Sequence, residues 1–225
     1  MKLQLTKRSA VAAIATVAAL ATITVGATGE ASPNRTKQDA AVNWHPQSGN
    51  AGAVGDNAHA SLVRSSSGIR YRFDTTDLVA GNAYTMWLVV VNDPAACDAT
   101  PCAAPQIIGD PLVDGQVAWG LDGEVARRDG VARFRARIEA GPLLDGWIQV
   151  QGLDDPMGAE IHLIVNDHGP VIHGLGREML STYRAGCADS SPFPPFFPAS
   201  ALADGTPGPN TCRLYQSAVF ESPTT

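Results

Sequence analysis

The chain has 225 residues, with 16 Lys and Arg against 22 Asp and Glu and a net charge of −6. That balance repels polyanions at long range and argues against nucleic acid as a general partner. The length suits one domain with a real hydrophobic core.

Residues 1–27 read as an export signal. Lys2, Lys7 and Arg8 make a basic start, residues 10–25 are apolar, and Val25-Gly26-Ala27 offers the small residues a signal peptidase requires. The apolar run is alanine-rich and shorter than the ~20 residues of a spanning helix, so no stable transmembrane segment is expected after cleavage. No cysteine near the cleavage region marks a lipoprotein anchor. Removal of the signal leaves 13 basic residues against 22 acidic ones, a net charge of −9. Residues 28–57 are rich in Ser, Asn, Gly, Gln and Ala and read as a flexible N-terminal arm. Asn34-Arg35-Thr36 in this arm fits a glycosylation sequon, and Trp44 is expected to dock on the domain.

Residues 58–225 read as a single domain. Ile69, Tyr71 and Phe73 alternate with Arg70 and Arg72, the period of a half-buried strand, and residues 60–64 suit a partner across the Ser-Ser-Ser-Gly turn. Residues 83–92 are apolar on both faces, as in a central strand. The proline-bearing segment 93–113 reads as a long loop, and residues 116–120 as a short strand carrying Trp119. Ala132, Phe134, Ala136 and Ile138 then alternate with Arg133, Arg135 and Arg137, one face for the core and one for water. Residues 147–151 form a further strand with Ile148 and Val150 inward. In the next, Ile161, Leu163 and Val165 oppose Glu160, His162 and Ile164, and the strand ends at a Gly169-Pro170 turn. Residues 177–184 offer one helical turn. The Pro- and Phe-rich stretch 190–210 cannot be regular and suits a covering loop, and residues 212–220 close the domain as a last strand, with Leu214, Ala218 and Phe220 on one side. The fold class expected is all-β, an antiparallel two-sheet sandwich of Greek-key or immunoglobulin-like type with seven to nine strands, long Pro-rich loops and at most one short helix. A closed barrel is the alternative.

Export makes disulfides the default use of the four cysteines. Three pairings are possible. The favoured one joins Cys97 to Cys102 across a small loop and Cys187 to Cys212 across a long one; a zinc site is the rival, but Cys-x4-Cys lacks a matching partner pair.

Three of the five histidines, His162, His168 and His173, stand at or beyond the end of the strand through Ile161. Imidazole nitrogens suit copper or zinc, and sandwich ends bring loops together, so these three are the candidate metal ligands, with His45 or His59 as a fourth. The competing reading is histidines that are exposed or hydrogen-bonded near a strand end. No Gly-x-Ser-x-Gly elbow is present, Asp167 and His168 diverge as strand neighbours, and Asp154, Asp155 and Glu160 read as solvated carboxylates rather than a glycosidase pair. The arginines of the Arg133 face, with Arg70 and Arg72, make either a patch for an anionic ligand or a solvated face that guards against edge aggregation. Trp87 or Trp147 with the Phe193 to Phe197 loop makes either a binding platform or packing, and packing is preferred.

Ile161-His162 and His168-Gly169-Pro170, in a strand-rich exported chain, resemble the CHRD-type domain family. Those sandwiches carry a comparable histidine and a His-Gly-Pro element and are loosely similar to copper/zinc superoxide dismutases; the strand pattern extends over residues 85–166. The histidines here stand six and five apart, without a compact His-x-His. The sequence is therefore read as a secreted, disulfide-stabilised, non-catalytic module for binding a protein, glycan or small molecule or for association with the cell envelope, with no cofactor. The alternative is an extracytoplasmic copper or zinc protein.

Overall fold

The structure, a computed structural model, describes residues 35–143, 146–148, 151–182, 184–188 and 206–223. Residues 1–27 and most of 190–210 lie outside them, as do the sequon Asn34 and the side chains of 146–150.

Two antiparallel sheets face each other. The four-stranded sheet runs β1 (Arg35–Ala41), β3 (His59–Ser65), β4 (Gly68–Thr75), β8 (Ala132–Glu139). The seven-stranded sheet runs β2 (Asn43–Trp44), β11 (Arg213–Phe220), β10 (Glu160–Pro170), β5 (Asn82–Val91), β6 (Gly115–Ala118), β9 (Gly146–Ile148), and β7 (Gly123–Val125) pairs with the first part of β5. This is the expected all-β sandwich. Its inner faces alternate with period two: Leu62, Ile69, Tyr71, Phe73 and Phe134 meet Tyr84, Met86, Leu88, Val90, Ile161, Leu163, Val165 and Phe220 in one core.

β5 is buried at every position, which explains its unbroken apolar run. Its odd-numbered residues Trp87, Val89 and Val91 face away from the main core and join Ile164, Cys102, Ile107 and Val113 in a second cluster. A third cluster gathers Ala83, Leu175, Met179 and Ala185. The outer face of the seven-stranded sheet is thus covered along its length.

Several elements depart from the sequence reading. The arm begins to pair at Arg35: β1 forms a full antiparallel register with β3, from Arg35↔Ser65 to Ala41↔His59, and Trp44 packs edge-on against Tyr215 with ring centroids 5.2 Å apart. Its inward residues, Thr36, Gln38 and Ala40, are small or polar, so a hydrophobic pattern is missing although a strand forms. The segment 93–113 is not wholly irregular; α1 (Ala104–Gly109) sits in it with Pro105 in the first turn, where a missing N–H costs nothing. The turn of 177–184 is a shorter α2 (Gly176–Met179), so the sandwich carries two short helices. A bulge opposite Val165/Asn166 shifts the β11 register from Gln216 to Leu214. It sends Leu214 to the outer cluster and turns Tyr215 into the core.

Arg64 ties the two sheets together at the β1 and β11 side. It is fully buried, and its guanidinium donates to Gln38 Oε1 (2.6 Å), to the carbonyls of Pro156 (3.0 Å) and Ala159 (2.7 Å), and at longer range to Phe220 O and Glu221 O. Burial lowers its pKa to about 10, which leaves it charged at neutral pH. Carbonyl dipoles, not a carboxylate, satisfy it.

Candidate functional site

The residues singled out from the sequence fall in two places, the outer face of the seven-stranded sheet and the outer face of the four-stranded one. On the first, Glu160, His162, Ile164 and Asn166 project outward from β10 opposite Val91, Val89, Trp87 and Thr85 of β5. His162 Nε2 lies 2.6 Å from Glu160 Oε1, and the same oxygen accepts the backbone N–H of Cys102 at 2.8 Å. Glu160 therefore pins the Cys97–Cys102 loop to the sheet and holds His162 beside it. It is 1 % exposed, a buried anchor rather than the solvated carboxylate expected.

His168 lies six residues further along the same strand, roughly 20 Å from His162 at the strand rise of about 3.3 Å per residue. The strand does not stop before it: β10 continues to Pro170 across an irregularity between Asp167 and Pro170. Gly169 makes this possible, with φ at +77° and a space in which a Cβ would lie 2.8 Å from the Asn210 side chain. His168 is consequently a buried strand residue, not a turn residue. Its Nδ1 is 3.0 Å from the Ala185 carbonyl, an acceptor, so Nδ1 carries the hydrogen. Nε2 then accepts from Thr85 Oγ1 (2.9 Å) and Asn166 Nδ2 (3.1 Å). Burial pushes the imidazole pKa down to about 4, so at neutral pH the ring is uncharged with both nitrogens engaged.

Beside His168 the two sulfurs of Cys187 and Cys212 form the only group of three possible ligand atoms within 4.8 Å among the described residues. Both sulfurs belong to a disulfide, as do those of Cys97 and Cys102, so neither is a thiolate. His173 is exposed on the loop after β10. His59 is exposed, its Nε2 3.2 Å from Asp39 Oδ1. His45 caps a 3-10 turn, Nδ1 accepting from Gln47 N, and burial lowers its pKa to about 4. The structure does not bring His162, His168 and His173 together. Next to His168 a cleft of about 430 Å³ is lined by Asn82, Asp167, Pro170, Asn210 and Arg213, but its polar groups serve the fold: Asp167 accepts from Asn82 Nδ2 (3.0 Å) and Gly169 N (2.8 Å), and Asn210 Nδ2 donates to the carbonyls of His168 and Pro170.

The second place is different in kind. Across the four-stranded sheet the register sets Lys37, Val63, Arg70 and Arg137 in one outward row and Asp39, Ser61, Arg72 and Arg135 in the next. With Arg35 and Arg133 this face holds seven basic side chains, all exposed, against the carboxylates of Asp39, Asp74 and Glu139. Asp39 pairs with Lys37, and Asp74 with Arg72 and Arg133. No ion pair engages Arg35, Arg70, Arg135 or Arg137 among the described residues. A hollow of about 340 Å³ at the β3–β4 turn is bounded by Arg35, Arg70, Arg137, Ser65, Ser66 and Ser67. Gly68 lets the turn lie against β8, since a Cβ there would stand 2.1 Å from the Ile138 carbonyl.

No protein-family model, curated protein or solved structure matches this chain. Function has to be argued from the two faces. Thr85, Asn166 and Ala185, which fix the His168 tautomer, and Arg35 and Lys37, which widen the basic face, were not singled out in the sequence. The first three carry no local signal, because only sheet pairing and the segment between α2 and Cys187 bring them to the ring. Arg35 and Lys37 did leave one, a period-two run ending at Asp39 within the supposed arm. Among the described residues no helix is long and apolar enough to cross a membrane.

Proposed function

We propose that the chain is an extracytoplasmic, non-catalytic binding or envelope-associated module that works through the open face of its four-stranded sheet. The observation that carries this reading is the contrast in cover. One outer face is packed beneath the segment holding the Cys97–Cys102 bridge and α1 and the segment holding α2, and the other presents seven basic side chains to solvent with four of them unpaired. Its fully buried histidine, His168, is neutral, sealed from solvent and hydrogen-bonded on both nitrogens, which suits a structural role better than proton transfer. Oxidised cysteines and the basic, then apolar start of the chain support a place outside the cytoplasm.

Fractionation of producing cells tests this. The protein should appear outside the cytoplasm without residues 1–27, with both disulfides formed, and should stay with the envelope at low ionic strength and leave it as salt rises. Cytoplasmic protein with free thiols, or indifference to salt, would sink the proposal. Metal analysis of the same preparation separates it from copper or zinc binding through His162, His168 or His173. Stoichiometric metal that is lost in His168→Ala would favour the metal protein.

A further inference from the structure

We infer that the open face binds a linear acidic polysaccharide, a carboxylated or sulfated glycan chain laid across the strands with one anionic group seated in the Arg35, Arg70 and Arg137 hollow. This rests on the reading of that face as the binding surface and names its ligand.

The first argument is charge placement. The chain is acidic overall, at −6, yet seven of its basic side chains share one sheet face with three carboxylates. The second is register. Arg70 stands directly opposite Arg137, and Arg72 directly opposite Arg135. Like charges directly opposite across an antiparallel pair are destabilising, and only Arg72 of these four has a carboxylate partner. Two successive arginine rungs break a local rule of sheet design, as binding sites do. An anion between the guanidinium groups converts that repulsion into attraction.

The chemistry of the face selects the anion. Six of the seven cations are arginine, whose planar fork matches a carboxylate or sulfate with two parallel hydrogen bonds. Ser65, Ser66 and Ser67 border the same hollow; Ser65 and Ser67 bond each other and Ser65 donates to Gly68 O, which leaves the Ser66 hydroxyl and the remaining oxygen lone pairs for sugar hydroxyls. The row Lys37, Val63, Arg70, Arg137 crosses four strands, roughly 14 Å at the strand spacing of about 4.8 Å, a track for a chain rather than a pocket for a single small ion. Two other polyanions are disfavoured. The exposed large apolar residues, Val79, Leu112, Val125 and Val171, all lie off this face, so it has no apolar anchor for a lipid surface. Its strands present no Phe, Tyr or Trp on which a base would stack, and their one outward ring among the described residues, the His59 imidazole, lies against Asp39 at the far end from the hollow. Glu139, opposite Gly68 at the rim, is the carboxylate nearest the hollow in the register and limits how far the chain runs past Arg137.

Titration of the purified protein with heparin fragments and with polygalacturonate tests the inference, with anionic lipid vesicles and duplex DNA as competitors. Saturable binding of at least one polysaccharide is expected, weakening steeply with salt. Arg70→Ala/Arg137→Ala should weaken it about tenfold or more. Arg127→Ala/Arg128→Ala, in the turn outside the sheet, should leave it within about twofold, and thermal midpoints should show all variants folded. Arg70→Lys/Arg137→Lys keeps the charge but loses the fork and should fall between, which also covers a failure of the alanine pair to fold. Absence of binding to both polysaccharides, equal loss in the turn variant, or vesicles or DNA bound as tightly as the glycan would overturn the inference. If polysaccharide binding fails while salt release from the envelope still depends on Arg70 and Arg137, the ligand class alone is wrong. If that dependence also vanishes, the face is not the binding surface.

Discussion

The outer face of the seven-stranded sheet lies beneath two segments, one holding the Cys97–Cys102 bridge and α1 and one holding α2 and leading to Cys187, whereas no described segment covers the outer face of the four-stranded sheet. On the covered face, side chains that look functional in isolation are absorbed by packing: Glu160 holds a loop amide, His168 holds a carbonyl, and Asn166 and Thr85 complete its hydrogen bonds. On the open face, charged groups that look like ordinary solvated residues are left unpaired in consecutive rungs. A residue's chemistry is therefore a poorer guide to its role here than the layer above it.

The largest effect should come where the two sheets join. Arg64→Ala leaves up to four carbonyls and the Gln38 side chain without their donor, and should lower stability by about 3–5 kcal/mol in chemical denaturation. A loss under 1 kcal/mol would mean that water replaces the guanidinium and that the sheets are joined by the apolar core alone.

Next come the caps. Cys187→Ser/Cys212→Ser releases a loop with a sequence separation of 25, and Cys97→Ser/Cys102→Ser one of 5. Chain entropy gives about 3.5 and about 2 kcal/mol respectively. The comparison sharpens if the first variant also speeds amide exchange at Thr85 and His168, and it breaks if exchange is unchanged, since the bridge beside His168 would then add nothing to its seal.

Acid should attack the covered face from within. The His168 imidazole takes its proton near pH 6.5 in the unfolded chain but near 4 in the fold. Between those values the unfolded state binds more protons, so stability present above about pH 6.5 is lost as pH falls toward 4, by about 3 kcal/mol. His45 acts in the same direction. Asp167, whose pKa burial raises, acts in the opposite one. The slope of stability against pH between 6.5 and 4 should shrink in His168→Gln; an unchanged slope would show that the ring is hydrated in solution.

The smallest effect should have the opposite sign. Arg70→Thr removes one like-charge rung and places a good strand former on an exposed position, so stability should rise by about 0.5 kcal/mol at low salt while polysaccharide affinity falls. A loss of stability would mean that Arg70 has a partner in the fold.

Much of the fold could be read from alternation. β4 and β8 show it plainly, the unbroken apolar run of β5 marks a strand buried on both sides, and the cysteine spacing leads to the two bridges that form. Alternation fails where the rule has no apolar letters to read. β1 turns Thr36, Gln38 and Ala40 inward at a sheet edge, and composition assigns it to an arm. α1 hides behind prolines because Pro105 occupies the turn of a helix that tolerates it. His168 is missed as a core residue because Gly169-Pro170 looks like a turn and imidazole counts as polar; its surroundings include Ala185 and the Cys187–Cys212 bridge, which lie 17 or more residues away. Five arginines of the open face can be read from the alternation of β4 and β8, but which of them stand opposite one another depends on a register that alternation does not set.

Arg64 also governs when the molecule can exist. Its guanidinium reaches Phe220 and Glu221, 156 and 157 positions later, and β11 lies between β10 and the short edge strand β2. Until that last strand has been made, Trp44 lacks Tyr215, β10 has a bare edge and the buried charge lacks its last acceptors. Such nonlocal closure is slow, and it orders events: the chain must remain open through almost its whole synthesis and then close at once. Loss of the final dozen residues would accordingly yield not a trimmed sandwich but an unfolded one.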